Sequence, residues 1–349
     1  MFSPQWAAEV ATENASCDAA VGSFKWKPHG FGSNVNNMLN VWVYALSVER
    51  WRDLAVVIDS NQMMLIECAA EIQGKASTGW NCLFAPMPRL CMFHSVEDWT
   101  DYIELMNFSK QDLQEAATKL EQRNVRWHPE EINASLEGLA VDHLGAVAAM
   151  AKHLWSFMTP WLREEVGLIA QATHKGAFER WPYIGLHIRR GDKVSTREAA
   201  FHGAEEYLSA AVRYLEGDAG RISVNRIKGI WVASDDPAVL DEVRSIAPEY
   251  FPNTNNDTIV KVSDGQSGGP GVAIMPTRTD SQSYSDVRLM FVDLQQLAAA
   301  DVFVGTFSSN IGRLVALLRE SIGSKTRDSA ISIDRPSWKA GRSRRERAL

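Results

Sequence analysis

Two patterns of hydrophobic positions recur along this chain. The first is a short, nearly continuous apolar run: Leu54-Ala-Val-Val-Ile58, Tyr183-Ile-Gly-Leu-His-Ile188, Ile227-Lys-Gly-Ile-Trp-Val-Ala233 and Asp301-Val-Phe-Val-Gly305. Runs of this length, rich in β-branched residues and bounded by turn residues, predict strands buried on both faces, as in a parallel sheet. The second pattern places apolar residues every three or four positions. Leu144, Val147, Met150, Leu154 and Phe157 follow it within a helical stretch over 139–172, which Pro160 interrupts. Further helices are predicted over 35–50, 97–123, 205–215, 286–300 and 311–319. Ser234-Asp-Asp-Pro237 reads as a helix start, with an acidic cap and proline at the first helical position. Residues 252–284 are rich in Gly, Ser, Asn and Asp and read as a long loop.

Strands alternating with helices imply an α/β protein whose mostly parallel sheets are covered on both faces. Two such halves predict two Rossmann-like domains facing a cleft. The expected division is an irregular lead-in over 1–27, an N-terminal domain with a helical insert over 28–172, a C-terminal Rossmann-like domain over 173–330 and a basic tail over 331–349. In open α/β sheets ligands bind outside the carboxyl ends of the strands, so the turns that follow the apolar runs are the first places to look for function.

Composition narrows the classes. The chain has 349 residues, 45% of them hydrophobic, enough for two cores. A net charge of −7 argues against a nucleic-acid partner, which selects a basic face. Histidines are scattered and neither HExxH nor CxxC occurs, so no dedicated zinc site is expected. Cys17, Cys68, Cys82 and Cys91 fit two disulfides or four buried thiols equally well. No apolar run reaches the roughly 18 residues of a membrane span. The opening MFSPQWAAEV lacks the basic and apolar regions of a signal peptide. Sequons at Asn14, Asn107, Asn133 and Asn256 are no more frequent than chance allows.

Chemistry concentrates at strand ends. In His187-Ile-Arg-Arg-Gly-Asp-Lys193, two adjacent arginines close an apolar strand. Holding them near a core is costly without an anion, and guanidinium groups match phosphate oxygens bidentately. A structural ion pair of Arg190 with Asp192 or Asp236 is the alternative. Thr306-Phe-Ser-Ser-Asn310 joins a strand to a helix, where free N–H groups and the helix dipole make a phosphate seat or simply a serine cap. Asp293 is an acid in an apolar helical patch, suited to the two donors of a guanine edge or to a local salt bridge. Gly30-Phe-Gly32 precedes a helix and would let backbone approach a diphosphate.

His187-Ile-Arg-Arg-Gly-Asp-Lys-Val-Ser-Thr-Arg-Glu-Ala-Ala-Phe-His202, Ala233-Ser-Asp-Asp-Pro-Ala-Val-Leu240 and Asp301-Val-Phe-Val-Gly-Thr-Phe-Ser-Ser-Asn-Ile-Gly-Arg313 resemble, in order, the motifs of the alpha-1,6-fucosyltransferases, glycosyltransferase family 23. Gly79-Trp80 fits the N-terminal half more loosely. The resemblance implies a GT-B-like fold and an inverting transfer of fucose from GDP-fucose to the 6-hydroxyl of a GlcNAc-containing glycan, with no metal cofactor. It implies a donor site of Gly30, Gly32, His187, Arg189, Arg190, Asp236, Asp293, Thr306, Phe307, Ser308 and Ser309, with His187 and Asp293 on guanine. Glu198, with Arg189 and Lys193, would carry catalysis, while Asp192 and Asp235 would meet the acceptor or support the site. Arg197 and Gly191 depart from the family's pattern. The resemblance also implies a Golgi-lumen location and the absence from this chain of the anchor, stem and C-terminal β-barrel of animal members. The acceptor could instead be a chitin oligosaccharide or a protein, and a non-catalytic sugar-binding relative is the competing reading.

Overall fold

A computed structural model describes the chain most fully from 143 onward, apart from short gaps, residues 263–279 and the residues after 335; before 143 it describes a few strands and short helical pieces. Contacts divide the chain into two compact units. One comprises residues 1–29, 33–159 and 339–349, the other residues 30–32 and 160–338.

The first unit carries a three-stranded parallel sheet in the order β1-β2-β5, formed by β1 (Ala20–Lys25), β2 (Ala55–Asp59) and β5 (Leu90–Phe93). A small antiparallel pair, β3 (Glu67–Cys68) and β4 (Ser77–Thr78), lies between them in sequence. Helix α1 (His143–Ser156) buries Val147, Met150, Ala151 and Leu154 on the face its spacing predicts. The helix expected over 97–123 lies outside the described residues, as does most of that expected over 35–50.

The second unit is built on five parallel strands: β6 (Tyr183–Ile188), β7 (Gly229–Ser234), β8 (Ile259–Val260), β9 (Val302–Gly305) and β10 (Ala330–Ser332). Their order across the sheet is β10-β9-β6-β7-β8. The chain starts in the centre at β6, moves outward through β7 and β8, then returns to the other side of β6 for β9 and β10. Strand order therefore reverses between β6 and β9, which opens a crevice at their carboxyl ends. Both β6 and β7 are buried along their whole length, as their unbroken apolar runs require.

Helices cover both faces. Ile184, Leu186 and Ile188 of β6 share a core with α3 (Ala204–Glu216) and α4 (Val239–Tyr250). The alternate residues of β6 face α5 (Asp280–Ala299), whose Leu297 lies against Gly185. Helix α2 (Pro160–His174) packs on α5, and α6 (Asn310–Ser321) follows β9. Arg319 of α6 is fully buried and donates to the carbonyls of Leu297, Ala300 and Asp301, closing the end of α5 onto the start of β9.

Several boundaries differ from the sequence expectation. The units divide after Thr159 rather than at 172, because Pro160 starts a new helix that packs with α5. Residues 30–32 group with the second unit although they precede the first unit's strands β2 and β5. The loop expected over 252–284 contains β8 and the first turn of α5. Residues 331–334 belong to the sheet and its edge rather than to a tail, since Ile333 N–H donates to the Gly305 carbonyl at 3.0 Å.

Candidate active site

The turns at the crevice come from β6, β7 and β9. The arginine turn leaves β6 and is held by Asp235, which leaves β7 next door. Asp235 accepts hydrogen bonds from the backbone N–H of Arg190 at 2.9 Å and of Gly191 at 2.8 Å, and its Oδ2 lies 2.8 Å from the Arg189 guanidinium. A nearly buried carboxylate thus fixes the turn's backbone and the direction of Arg189 together. The Arg189 side chain remains 17% exposed.

Arg190 points elsewhere. Its two terminal nitrogens donate to the two carboxylate oxygens of Glu242 in α4, its Nε donates to the His202 carbonyl at 3.2 Å, and its guanidinium stacks 4.5 Å from the centre of the Phe201 ring. Asp236 lies 3.5 Å away. Hydrogen bonding to Glu242 and the Coulomb field of Glu242 and Asp236 outweigh burial and raise the Arg190 pKa, whereas the same arginine holds Glu242 low. The ion pair with Asp236 raised by the sequence is present, but the principal partner is Glu242, which the sequence reading did not single out. Nothing in the local pattern marks that glutamate among its helix neighbours. Asp236 itself accepts from Ala238 N–H at 2.9 Å, the capping role that Asp-Asp-Pro suggests, and its carbonyl accepts from Lys261 Nζ at 2.9 Å.

On the α5 face of the sheet, His187 and Trp231 lie on adjacent strands at alternating, same-face positions. His187 is buried, its Nδ1 has no hydrogen-bond partner among the described residues, and burial next to Arg189 lowers its pKa to about 4, so the ring is neutral. Trp231 Nε1 donates to Asp293 Oδ1 at 2.9 Å. Asp293 is in an apolar setting that pushes its pKa up to about 7, partly opposed by Trp231 and Lys261. Asp293 thus accepts an indole N–H from the sheet face that also carries His187.

The serine turn after β9 enters α6 through Ser309, whose side chain makes no capping hydrogen bond. Thr306 is buried and its carbonyl accepts from Ser309 N–H at 3.2 Å. Gly312 allows this: a Cβ there would stand 2.3 Å from the Thr306 carbonyl oxygen. Gly32 also reaches this corner. A Cβ on it would stand 2.9 Å from Ile311 Cδ1 and 3.1 Å from Ile311 N, so only glycine lets this segment lie against the α6 N-terminus. Its neighbour Phe31 is buried against Phe291 of α5, 5.5 Å between ring centres. The N–H groups of Phe307 and Ser308 donate to Asp334, another residue absent from the sequence reading. Ala330-Ile-Ser-Ile333 does alternate with the two-residue period of a strand, a signal that could have placed Asp334 beside this turn.

The structure therefore brings Gly32, Arg189, Asp235, Thr306, Phe307, Ser308 and Ser309 to the carboxyl ends of the sheet, with His187 and Asp293 under α5. Gly30, Asp192, Lys193 and Glu198 lie outside the described residues. Among the described residues no group of three His, Cys, Asp or Glu side chains is placed to hold a metal ion, and no helix is long and apolar enough to cross a membrane.

A family model described as alpha-(1,6)-fucosyltransferase N- and catalytic domains matches residues 55–334. The chain belongs to this family. Curated relatives include an alpha-(1,6)-fucosyltransferase of Caenorhabditis elegans, 30% identical over 158 residues, which are 45% of this chain and 25% of that protein. The alpha-(1,6)-fucosyltransferase of Drosophila melanogaster is 36% identical over 138 residues, 38% of this chain and 19% of the relative. The matched part thus spans a quarter or less of these relatives' length. Among solved structures, fucosyltransferase NodZ from Bradyrhizobium aligns with a TM-score of 0.45 and 15% identity, covering 85% of this chain and 92% of that one.

Proposed function

We propose that this alpha-(1,6)-fucosyltransferase family member transfers fucose from GDP-fucose to the 6-hydroxyl of a GlcNAc residue, with inversion at the anomeric carbon. The observation that supports this best is the corner where strand order reverses: Arg189, fixed by Asp235, stands at the end of β6, and the N-terminus of α6 follows β9 beside Gly32. A guanidinium and a helix N-terminus together suit a diphosphate leaving group.

In this reading the guanine edge lies against His187 and Asp293, and the diphosphate lies between Arg189 and the serine turn. The acceptor oxygen forms its bond to the anomeric carbon as the bond from that carbon to the phosphate oxygen breaks. The acceptor proton passes to Glu198, and the electron pair leaves with GDP. Arg189 and the α6 dipole stabilise the charge that develops on the leaving phosphate without a metal cofactor. Lys193, Asp192 and Asp236 support the site, and Asp235 does so by holding Arg189. Arg190 acts from behind it. An N-glycan core in the Golgi lumen is the acceptor this reading favours.

The test is transfer by the purified protein from GDP-fucose to a panel of GlcNAc-terminated oligosaccharides. Donor hydrolysis and product linkage are read together. GDP binding with neither transfer nor hydrolysis would favour a sugar-binding relative.

A further inference from the structure

Asp334 stands where an anion would be expected. The turn Thr306–Ser309 opens α6, and N–H groups at such a turn attract negative charge. Two of them are already engaged. Phe307 N–H donates to Asp334 Oδ1 at 2.8 Å and Ser308 N–H donates to Oδ2 at 3.0 Å. Ser332 Oγ donates to Oδ1 at 2.6 Å and accepts from Phe307 N–H at 3.0 Å. Backbone pairing delivers this carboxylate. Ser332 is aligned with Gly305 in the β9–β10 ladder, and Ile333 N–H donates to the Gly305 carbonyl, so Asp334 comes one residue beyond the last ladder bond.

We propose that Asp334 is a positioning residue for the donor's diphosphate, holding the amides of Phe307 and Ser308 so that the serine side chains and the first turn of α6 are set for phosphate. The inference rests on the donor reading above. Two effects of the carboxylate oppose each other: its charge repels a diphosphate, and its hydrogen bonds order the seat. Three donors already share that charge, which blunts the repulsion, whereas no other described acceptor is bonded to the Ser308 amide. Burial would raise the Asp334 pKa, yet the hydrogen bonds from Ser308, Ser332 and Phe307 outweigh it and hold the group below the ordinary carboxylate value.

Titration calorimetry of the full chain with GDP and with guanosine tests this. Asp334→Asn puts a donor nitrogen against one of the donors now held by the carboxylate. It is expected to weaken GDP by about tenfold, the scale of one lost charge-assisted hydrogen bond, and to leave guanosine within about twofold. Ser332→Ala removes one donor to Asp334 and is expected to shift GDP in the same direction by a smaller factor, with guanosine again unchanged. If Asp334→Asn does not fold, the Ser332→Ala ratio decides alone. Unchanged or tighter GDP binding overturns the positioning role, and so does an equal loss of GDP and guanosine. Wild-type protein that does not bind GDP overturns the donor reading, and the positioning role with it.

Discussion

Arg190 and Glu242 form a two-pronged ion pair that ties both ends of one loop to α4. The near end of the loop, Gly191, hangs from Asp235. Its far end is fixed by the Arg190 contacts to His202 and Phe201 and by Ala204 N–H, which donates to Glu242 Oε1 at 2.8 Å. The segment between, 192–200, carries Lys193 and Glu198 in the sequence.

Glu242→Gln tests whether Arg190 serves the loop or the donor. The change removes a charge-assisted partner and is expected to lower unfolding free energy by about 1.5–3 kcal/mol, measured in urea. Turnover should fall while GDP affinity stays within about twofold, because Glu242 and Arg190 lie behind Arg189. A parallel loss of GDP affinity would put Arg190 on the donor after all.

Arg189 has the opposite expectation. Removing it by Arg189→Ala takes the half-buried guanidinium from the crevice, and GDP should no longer raise the melting temperature of the protein. Asp235→Asn keeps the arginine but loosens its direction, and should weaken GDP by a smaller factor, about threefold to tenfold. If UDP stabilises the wild type as well as GDP does, the placement of guanine against Asp293 fails.

Much of this corner was legible in the sequence, for reasons that can be named. A strand buried on both faces must be a continuous apolar run, so β6, β7 and β9 announced themselves, and the polar turns that close them could be read as a site. Arg190 shows the limit. Its neighbour Arg189 has the same side chain one residue away, and only the fold shows that Glu242, 52 positions along the chain, takes its charge. Asp334 was hidden for a related reason: β10 is a three-residue edge strand, too short for its alternation to stand out from the basic stretch that follows. The reach of Gly32 to α6 is a contact across nearly the whole sequence, which local pattern does not carry.

Gly32→Ala is a steric test of that reach. A methyl group would press on Ile311 Cδ1 at 2.9 Å and on backbone at 3.1 Å. The isoleucine can turn aside but the backbone of α6 cannot. GDP binding should therefore weaken while the melting temperature falls by only a few degrees, on the order of 1 kcal/mol of strain. Unaltered GDP binding would separate the glycine segment from the donor seat.

Glu198→Gln keeps shape and removes basicity. General-base help is worth about 10²–10⁴ in rate, so turnover should fall by at least about a hundredfold with GDP affinity nearly unchanged. Near-normal turnover would pass the role to another carboxylate. Transfer should also persist in a chelator, and complete loss in EDTA restored by manganese would overturn the metal-free reading.

Asp293 gives the pH dependence. Its apolar setting lifts its pKa to about 7, well above the ordinary value of 3.8. The folded state therefore holds a proton that the unfolded chain has lost between these values. The stabilisation this gives is fully present below about pH 4 and is lost as pH rises through about 7. Guanine binding runs the other way. Its ring and exocyclic N–H groups donate, so they need the ionised carboxylate, and GDP affinity should strengthen as pH rises from about 6 to 8, with release of a proton on binding. His187 stays neutral throughout, since its pKa of about 4 lies below this window. Calorimetry in two buffers of different ionisation enthalpy would detect the proton. In Asp293→Asn the pH dependence over this window should disappear and GDP should bind more weakly at pH 8. Wild-type GDP affinity that is flat from pH 6 to 8 would mean that Asp293 does not meet the base.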